Sequence, residues 1–308
     1  MKIVHIAISC FYIEGAGYQE NLLPSAHVAM GHDVTMISSQ YCFDGQGKRQ
    51  VRESGTYQSN SGFKVVILPD TAHLRFGLDY FKRKVKGLYN TLQVENPDII
   101  FMHGLTAVDS LDVVRYVKNH KHVRYYADQH GDYYNTHYDN LLGKFVLKFV
   151  HKPIAKKVAE QASMIWGTTP WRVQYLREIY GVPVEKSSLL VMGADEKLID
   201  WDNRIQIRSD VRSKYGIKED DFLIVTGGKI NKAKNTHLLA EAVTRLRHSN
   251  VKLLIFGKMT DDMIPVFDEF AKDQRIINAG WVKSDFAYQL FLASDLGCFP
   301  GTHGSSAI

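Results

Sequence analysis

Three lysines and a glycine pair within residues 221–242, DFLIVTGGKINKAKNTHLLAEA, have the types and spacing to hold a polyanion. Residues 222–226 read as a buried strand. Gly227 and Gly228 follow, then a loop carrying Lys229, Lys232 and Lys234, then a helix whose Leu238, Leu239, Ala242 and Val243 keep helical spacing. Glycines let backbone N–H groups approach a ligand, the helix end adds partial positive charge, and the lysines add full charges. A diphosphate fits that chemistry. By itself the pattern describes a solvated basic loop equally well.

A second set lies in the first half of the chain. Residues 99–102, IIFM, form a buried-strand run ending at His103-Gly104, and residues 123–127 form another that finishes in Asp128, Gln129, His130, Gly131 and Asp132. In an open α/β sheet, ligands gather at the carboxyl ends of strands, so His103, Asp128 and His130 are expected in one cleft. A packed, hydrogen-bonded histidine is the alternative for either ring. Gly15 and Gly17 break the chain where the first strand hands over to a helix, and Gly257 ends the strand run 252–256.

The elements that must position these groups alternate between strand and helix, which predicts an α/β fold of two Rossmann-like domains, residues 1–200 and residues 201–308. In the first, the strand-like run 2–9, a helix and the run 34–38 close a β-α-β unit. Residues 41–62 are polar and glycine-rich and read as a long mobile loop, followed by a strand at 63–68. Residues 74–90 mix Phe76, Tyr80, Phe81 and Tyr89 with five cations on a helical stretch. Residues 141–159 place Lys144, Lys148, Lys152 and Lys156 four apart, opposite Phe145, Val146, Phe149 and Val150, in a helix interrupted at Pro153. Basic amphipathic helices of this kind fit an anionic membrane surface or a solvated face with one packed side. After Asp195 a charged stretch, 197–216, reads as a linker with a short helix, and the alternation resumes at Phe222.

The whole chain has 308 residues, 45% hydrophobic and 23% charged, which is the balance of a folded globular protein. A net charge of +5 favours anionic ligands, and no nucleic-acid recognition motif accompanies it. Three scattered cysteines suit neither a disulfide framework nor a zinc site and fit a reducing compartment. With no apolar run of about 18 residues, the expected location is the cytoplasm.

Read in order, these segments resemble the GT-B fold glycosyltransferases of family 4, which are retaining and use nucleotide sugars. The resemblance rests on Gly15, Gly17 and Tyr18-Gln19-Glu20-Asn21, on Pro97-Asp98-Ile99-Ile100 leading to His103-Gly104, and on His130-Gly131. It also rests on Met192-Gly193-Ala194-Asp195, on Gly228-Lys229 with Lys234, and on the series 253–257, 277–282 and 293–301. It implies a sugar nucleotide as substrate and a sugar moved to an acceptor hydroxyl. Lys229 and Lys234 would neutralise the departing diphosphate in place of a metal, and His130 would meet the donor sugar. Gly15, Gly17, Gly228 and Gly257 would border the donor, with His103 and Asp128 on the acceptor side. No metal cofactor is expected. The acceptor would be a glycan or lipid-linked, in cell-surface polysaccharide or glycolipid synthesis, with the protein peripheral on the inner face of the membrane. Family members carry two spaced glutamates after the strand at 296–299, whereas residues 301–308 contain none. A truncated donor domain is therefore expected, with an incomplete sheet open to self-association. A catalytically silent nucleotide-binding or partner-binding module and a GT-B sugar-nucleotide epimerase are the alternatives.

Overall fold

The computed structural model describes residues 1–8, 10, 12–43, 49–71, 84–134, 136, 138 and 140–301. The chain forms two compact units, Met1–Gly193 and Ala194–Ile308.

The first unit contains β1 (Lys2–Ala7), α1 (Gln19–Ala29), β2 (Asp33–Ser39), β3 (Tyr41–Phe43), β4 (Arg49–Val51), β5 (Gly55–Gln58), β6 (Lys64–Leu68) and α2 (Leu88–Glu95). It continues with β7 (Ile99–His103), α3 (Ser110–Asn119), β8 (Arg124–Gln129), α4 (Leu141–Val146), α5 (Lys152–Gln161), β9 (Met164–Gly167), α6 (Pro170–Glu178) and β10 (Ser187–Leu189). Eight strands build one sheet in the order β10-β9-β8-β7-β1-β2-β6-β5. All neighbours are parallel except β5 on β6. The strand order reverses at β1, which pairs with β2 on one side and β7 on the other. Helices cover both faces of such a sheet, which is why β1 and β7 read as near-continuous buried runs. Val4, Ile6, Ile100, Met102 and Ala127 pack with Val113, Tyr116, Ile154 and Val158 in the main core.

Residues 41–62 depart from the expected long loop. β3 and β4 form an antiparallel ribbon, and β5 adds an antiparallel edge to β6. All four residues of β5 are exposed, so backbone pairing alone defines this edge and no apolar alternation marks it in the sequence. Most of the aromatic and basic stretch expected at 74–90 lies outside the described residues, and the helix there is α2, which begins at Leu88.

The expected interruption at Pro153 takes another form. A π turn, Leu147–His151, carries α4 into α5 without a gap. Proline has no N–H to donate to the preceding turn and its ring crowds the carbonyl four residues back, a defect that a locally wider turn relieves. The lysines are not opposite all of the apolar residues. Phe145 and Phe149 are each 57% exposed on the same side as Lys144 and Lys148, with ring centroids 4.7 Å apart, while Val146 is buried.

The second unit contains α7 (Arg204–Lys214), β11 (Phe222–Gly227), α8 (Thr236–Arg245), β12 (Val251–Phe256), α9 (Ile264–Phe270), β13 (Ile276–Gly280), α10 (Ser284–Ala293) and β14 (Leu296–Gly297). Its four strands are parallel, in the order β13-β12-β11-β14. Leu223, Val225 and Leu254 pack against Ala287 and Leu290 on one face, and Ile224, Leu253 and Ile255 against Ala240 and Val243 on the other. The charged stretch that reads as a linker supplies α7, anchored by a buried arginine. Arg212 donates to Asp295 Oδ2 at 2.7 Å and to the carbonyls of Ala293, Lys218 and Asp221. A guanidinium with all three nitrogens hydrogen-bonded can be buried, whereas its sequence position signals only charge.

Candidate functional site

The reversal of strand order in the first unit brings the carboxyl ends of β1, β7 and β8 together, the place where an open parallel sheet leaves a crevice. Register pairs His103 with Asp128 across β7 and β8. Asp128 is fully buried and accepts from His103 Nδ1 at 3.0 Å and from the Gly104 N–H at 3.0 Å, while His130 Nε2 lies 3.2 Å from its Oδ1 as an ion-pair contact. Burial alone would raise its pKa, but the two imidazoles outweigh burial and hold the carboxyl well below its usual range. Burial likewise acts to lower the pKa of His130, and the Asp128 carboxylate overcomes it, so that the net shift is upward. His130, the outermost of the three with 24% of its side chain exposed, is thus a histidine biased towards the cation.

His103 and Asp128, expected on the acceptor side, present no atom to solvent. What they do to a ligand passes through His130. Beside His130 stand two groups that the motifs did not single out as site residues, Cys10 beyond the end of β1 and Glu20 in the first turn of α1. Their donor atoms and a ring nitrogen of His130 lie within 4.8 Å of one another. Burial and the Glu20 carboxylate push the Cys10 thiol well up, which keeps it protonated and hydrogen-bonded to Glu20. His103, Asp128 and His130 form a second group of possible metal ligands within the same distance, but both His103 ring nitrogens are engaged by His5 and Asp128.

Farther along the same edge, the buried Arg172 donates to Thr168 Oγ1 at 2.5 Å and lies 3.4 Å from Asp132. Gln19, Glu20 and Asn21 are each only 7% exposed at the start of α1, and Gln19 Oε1 and Asn21 Oδ1 are buried acceptors without a partner among the described residues. Three consecutive polar residues in a helix start that is otherwise packed are the signal in the sequence for this edge. Of the two glycines before them, Gly15 has φ +74° and Gly17 an ordinary φ, and no atom lies within 4 Å of a Cβ placed on either. The loop therefore leaves open space at its surface.

In the second unit, the glycines at the end of β11 have a packing role. A Cβ on Gly257 would stand 1.9 Å from the Gly228 carbonyl oxygen, and one on Gly227 2.3 Å from the Phe256 ring. Gly228, with φ +102°, donates its N–H to the Phe256 carbonyl. This tight pairing turns the loop so that Lys229 is exposed while Ile230 is buried and bridged to Met259. Lys229 has no ion-pair partner among the described residues. A single 3-10 turn, Lys232–Lys234, follows, with Asn231 Oδ1 accepting from the Lys234 N–H at 3.1 Å. Asn235 adopts the left-handed conformation, φ +55°, and starts α8 without a side-chain cap. The first N–H groups of a helix have no partner within it, so Lys229, Lys234 and the start of α8 offer donors and positive charge on one short loop. Gly301 packs on Lys234, where an added Cβ would meet the lysine at 3.4 Å, and Asn235 Nδ2 donates to the Pro300 carbonyl.

The fold of the chain, with its two α/β units, is matched among solved structures. HepE of Anabaena in complex with UDP and glucose superimposes with a TM-score of 0.60 at 13% identity, covering 97% of this chain and 74% of its own. The fold is that of the GT-B glycosyltransferases. The catalytic domain of starch synthase IV from Arabidopsis thaliana, bound to ADP and acarbose, matches this GT-B chain with a TM-score of 0.64 at 14% identity, over 98% of this chain and 78% of its own. WaaG, a glycosyltransferase involved in lipopolysaccharide biosynthesis, matches with a TM-score of 0.61 at 16% identity, over 98% and 75%. No protein-family model and no curated protein matches the sequence.

Proposed function

We propose that the chain is a glycosyltransferase that moves a sugar from a nucleoside diphosphate to an acceptor hydroxyl, in the retaining manner of the family it resembles. The observation that carries this reading is the pairing of an exposed lysine with a second lysine at an uncapped helix start, on a GT-B fold. As the bond to the sugar lengthens, negative charge grows on the diphosphate. Lys229, Lys234 and the start of α8 neutralise it, and a metal is not needed for that part of the work. His130, held cationic-leaning by Asp128, is a hydrogen-bond donor for sugar hydroxyls.

The acceptor is a glycan or a lipid-linked sugar. Leu141, Leu142, Phe145 and Phe149 are exposed beside Lys144, Lys148 and Lys152, a face suited to the interface of an anionic membrane. No helix among the described residues is long and apolar enough to cross a membrane.

The test is incubation of the protein with a panel of UDP, ADP and GDP sugars, with release of nucleoside diphosphate measured with and without acceptors. Release that depends on an acceptor and is lost in Lys229→Ala supports the reading. An epimerised sugar nucleotide, or binding without turnover, would replace it with the corresponding alternative.

A further inference from the structure

Asp128 and His130 are the outer end of a longer chain of contacts that runs through the sheet of the first unit. His103 on β7 reaches Asp128 through Nδ1, and its Nε2 lies 3.2 Å from Nδ1 of His5 on β1. His5 is fully buried, and its other nitrogen, Nε2, lies 3.0 Å from Nδ1 of His27 on α1. His27 is half-buried, and the His32 ring lies 6.1 Å beyond it. Three imidazoles thus join the surface at α1 to a carboxylate at the candidate site, each ring using both nitrogens or, at His27, leaving Nε2 outermost.

The protons on this chain are constrained by the groups at its ends. A carboxylate only accepts, so His103 donates through Nδ1. Burial first, and the neighbouring rings second, push His5 well below its usual range, so it carries a single proton. Two complete arrangements remain. In the first, all three rings are neutral, His27 donates from Nδ1 to His5 Nε2, and His5 donates from Nδ1 to His103 Nε2. In the second, His103 is an imidazolium against Asp128, His5 donates from Nε2 to His27 Nδ1, and His27 carries its proton on Nε2. The two differ by one proton taken from solvent at His27 Nε2, with one N–H transferred at each of the two inner contacts. No polar atom of the chain loses its partner in either state.

We propose that His27, His5 and His103 form a two-state proton relay that carries a proton between the surface at α1 and the Asp128–His130 pair, and so sets how strongly Asp128 holds the charge on His130. In the neutral state the Asp128 anion acts on His130 undivided. In the protonated state His103 shares it, and His130 gives up its own proton more readily. The groups facing the relay are Phe101 beside His5, His32 beside His27, the Gly104 N–H on Asp128, and Glu20, Cys10 and Arg172 around His130. None of these supplies a rival acceptor to His5 among the described residues. The inference depends on the transferase reading only for what His130 meets.

The test needs no ligand, so its failure is separate from failure of the transferase reading. Nitrogen NMR of the full chain, labelled at histidine, reports which ring nitrogen of His5 carries the proton as the pH is lowered from about 8.5 to about 5.5, the span of histidine titration. The expected result is a change from Nδ1–H to Nε2–H on His5 as the pH is lowered, without His5 becoming cationic. In His27→Phe, which closes the entrance, the change disappears and the His130 midpoint moves. A single His5 tautomer throughout the titration of the wild-type chain overturns the relay, whatever the stability of the variant. A tautomer change that persists in a folded His27→Phe protein overturns it as well.

Discussion

Asp128 Oδ1 stands 3.2 Å from His130 Nε2, and this contact joins a wholly buried carboxylate to the most accessible histidine of the candidate site. The partnership fixes both charges. It makes the anion tolerable in the core, and it raises the proton affinity of a ring that burial would otherwise lower.

Asp128→Asn should therefore lower the titration midpoint of His130, because the carboxylate that chiefly opposes burial is then gone. Stability should fall by about 3–5 kcal/mol, the cost of breaking a buried pair. The sign of the pH dependence follows from the two shifts. The depressed Asp128 stabilises above about pH 4 and fails as pH drops through its folded value. The raised His130 stabilises below about pH 6.5 and fades as pH rises through its own. The loss in the variant should be greatest between those limits, as read from denaturant midpoints across pH.

Lys229→Ala and Lys234→Ala should each lower turnover about a hundredfold, near 3 kcal/mol of transition-state stabilisation, and weaken nucleoside diphosphate binding in calorimetry. The two differ in a way that separates charge from packing. Lys229 is exposed, so its variant should unfold like the parent, while Lys234 packs on Gly301 and its loss should lower the unfolding temperature as well. Normal turnover in both variants would remove the lysine loop from the mechanism.

Gly257→Ala should cost about 3 kcal/mol or more. The added carbon meets the Gly228 carbonyl at 1.9 Å, and φ +120° is strained for any L residue. Gly17→Ala, with open space and an ordinary φ, should leave stability within about 0.5 kcal/mol of the parent, so that any loss of donor binding in it reports on the loop surface.

Asp109 offers a separate pH signature. It is fully buried, with Oδ1 accepting from the Val85 N–H and Oδ2 without a partner among the described residues, and burial raises its pKa to about 7. A carboxyl raised in the fold favours the native state below its unfolded value and loses that contribution as pH climbs to about 7. Asp109→Asn keeps the acceptor for Val85 and removes the titration. The parent should lose roughly 3–4 kcal/mol between about pH 4 and about pH 7 that the variant retains, as measured by urea unfolding at each pH.

Phe145→Ser with Phe149→Ser should reduce sedimentation with anionic vesicles at least tenfold, since each ring adds about 2 kcal/mol when buried in an interface. High salt should weaken the parent by screening Lys144, Lys148 and Lys152. Unchanged binding in the double variant would mean that this face does not meet the membrane.

The alternation of strand and helix was legible in the residues because parallel strands buried on both faces are written as unbroken apolar runs, as in β7 and β12. The lysine loop was legible too, since glycines and cations at a strand end are local features. The ribbon at β3 and β4 and the edge β5 were not, because three-residue strands are too short to show a period and the four exposed residues of β5 are held by backbone pairing alone. Nor was the burial of Arg212, which depends on carbonyls and a carboxylate that only the fold assembles around it. The histidines show the division most clearly. Sequence alone determined that His103, Asp128 and His130 end neighbouring strands. Only the tertiary structure decided that His103 and Asp128 are sealed inside, with His5 and His27 behind them, because side-chain partners across β1, β7 and α1 are set by sheet register and helix packing rather than by spacing along the chain.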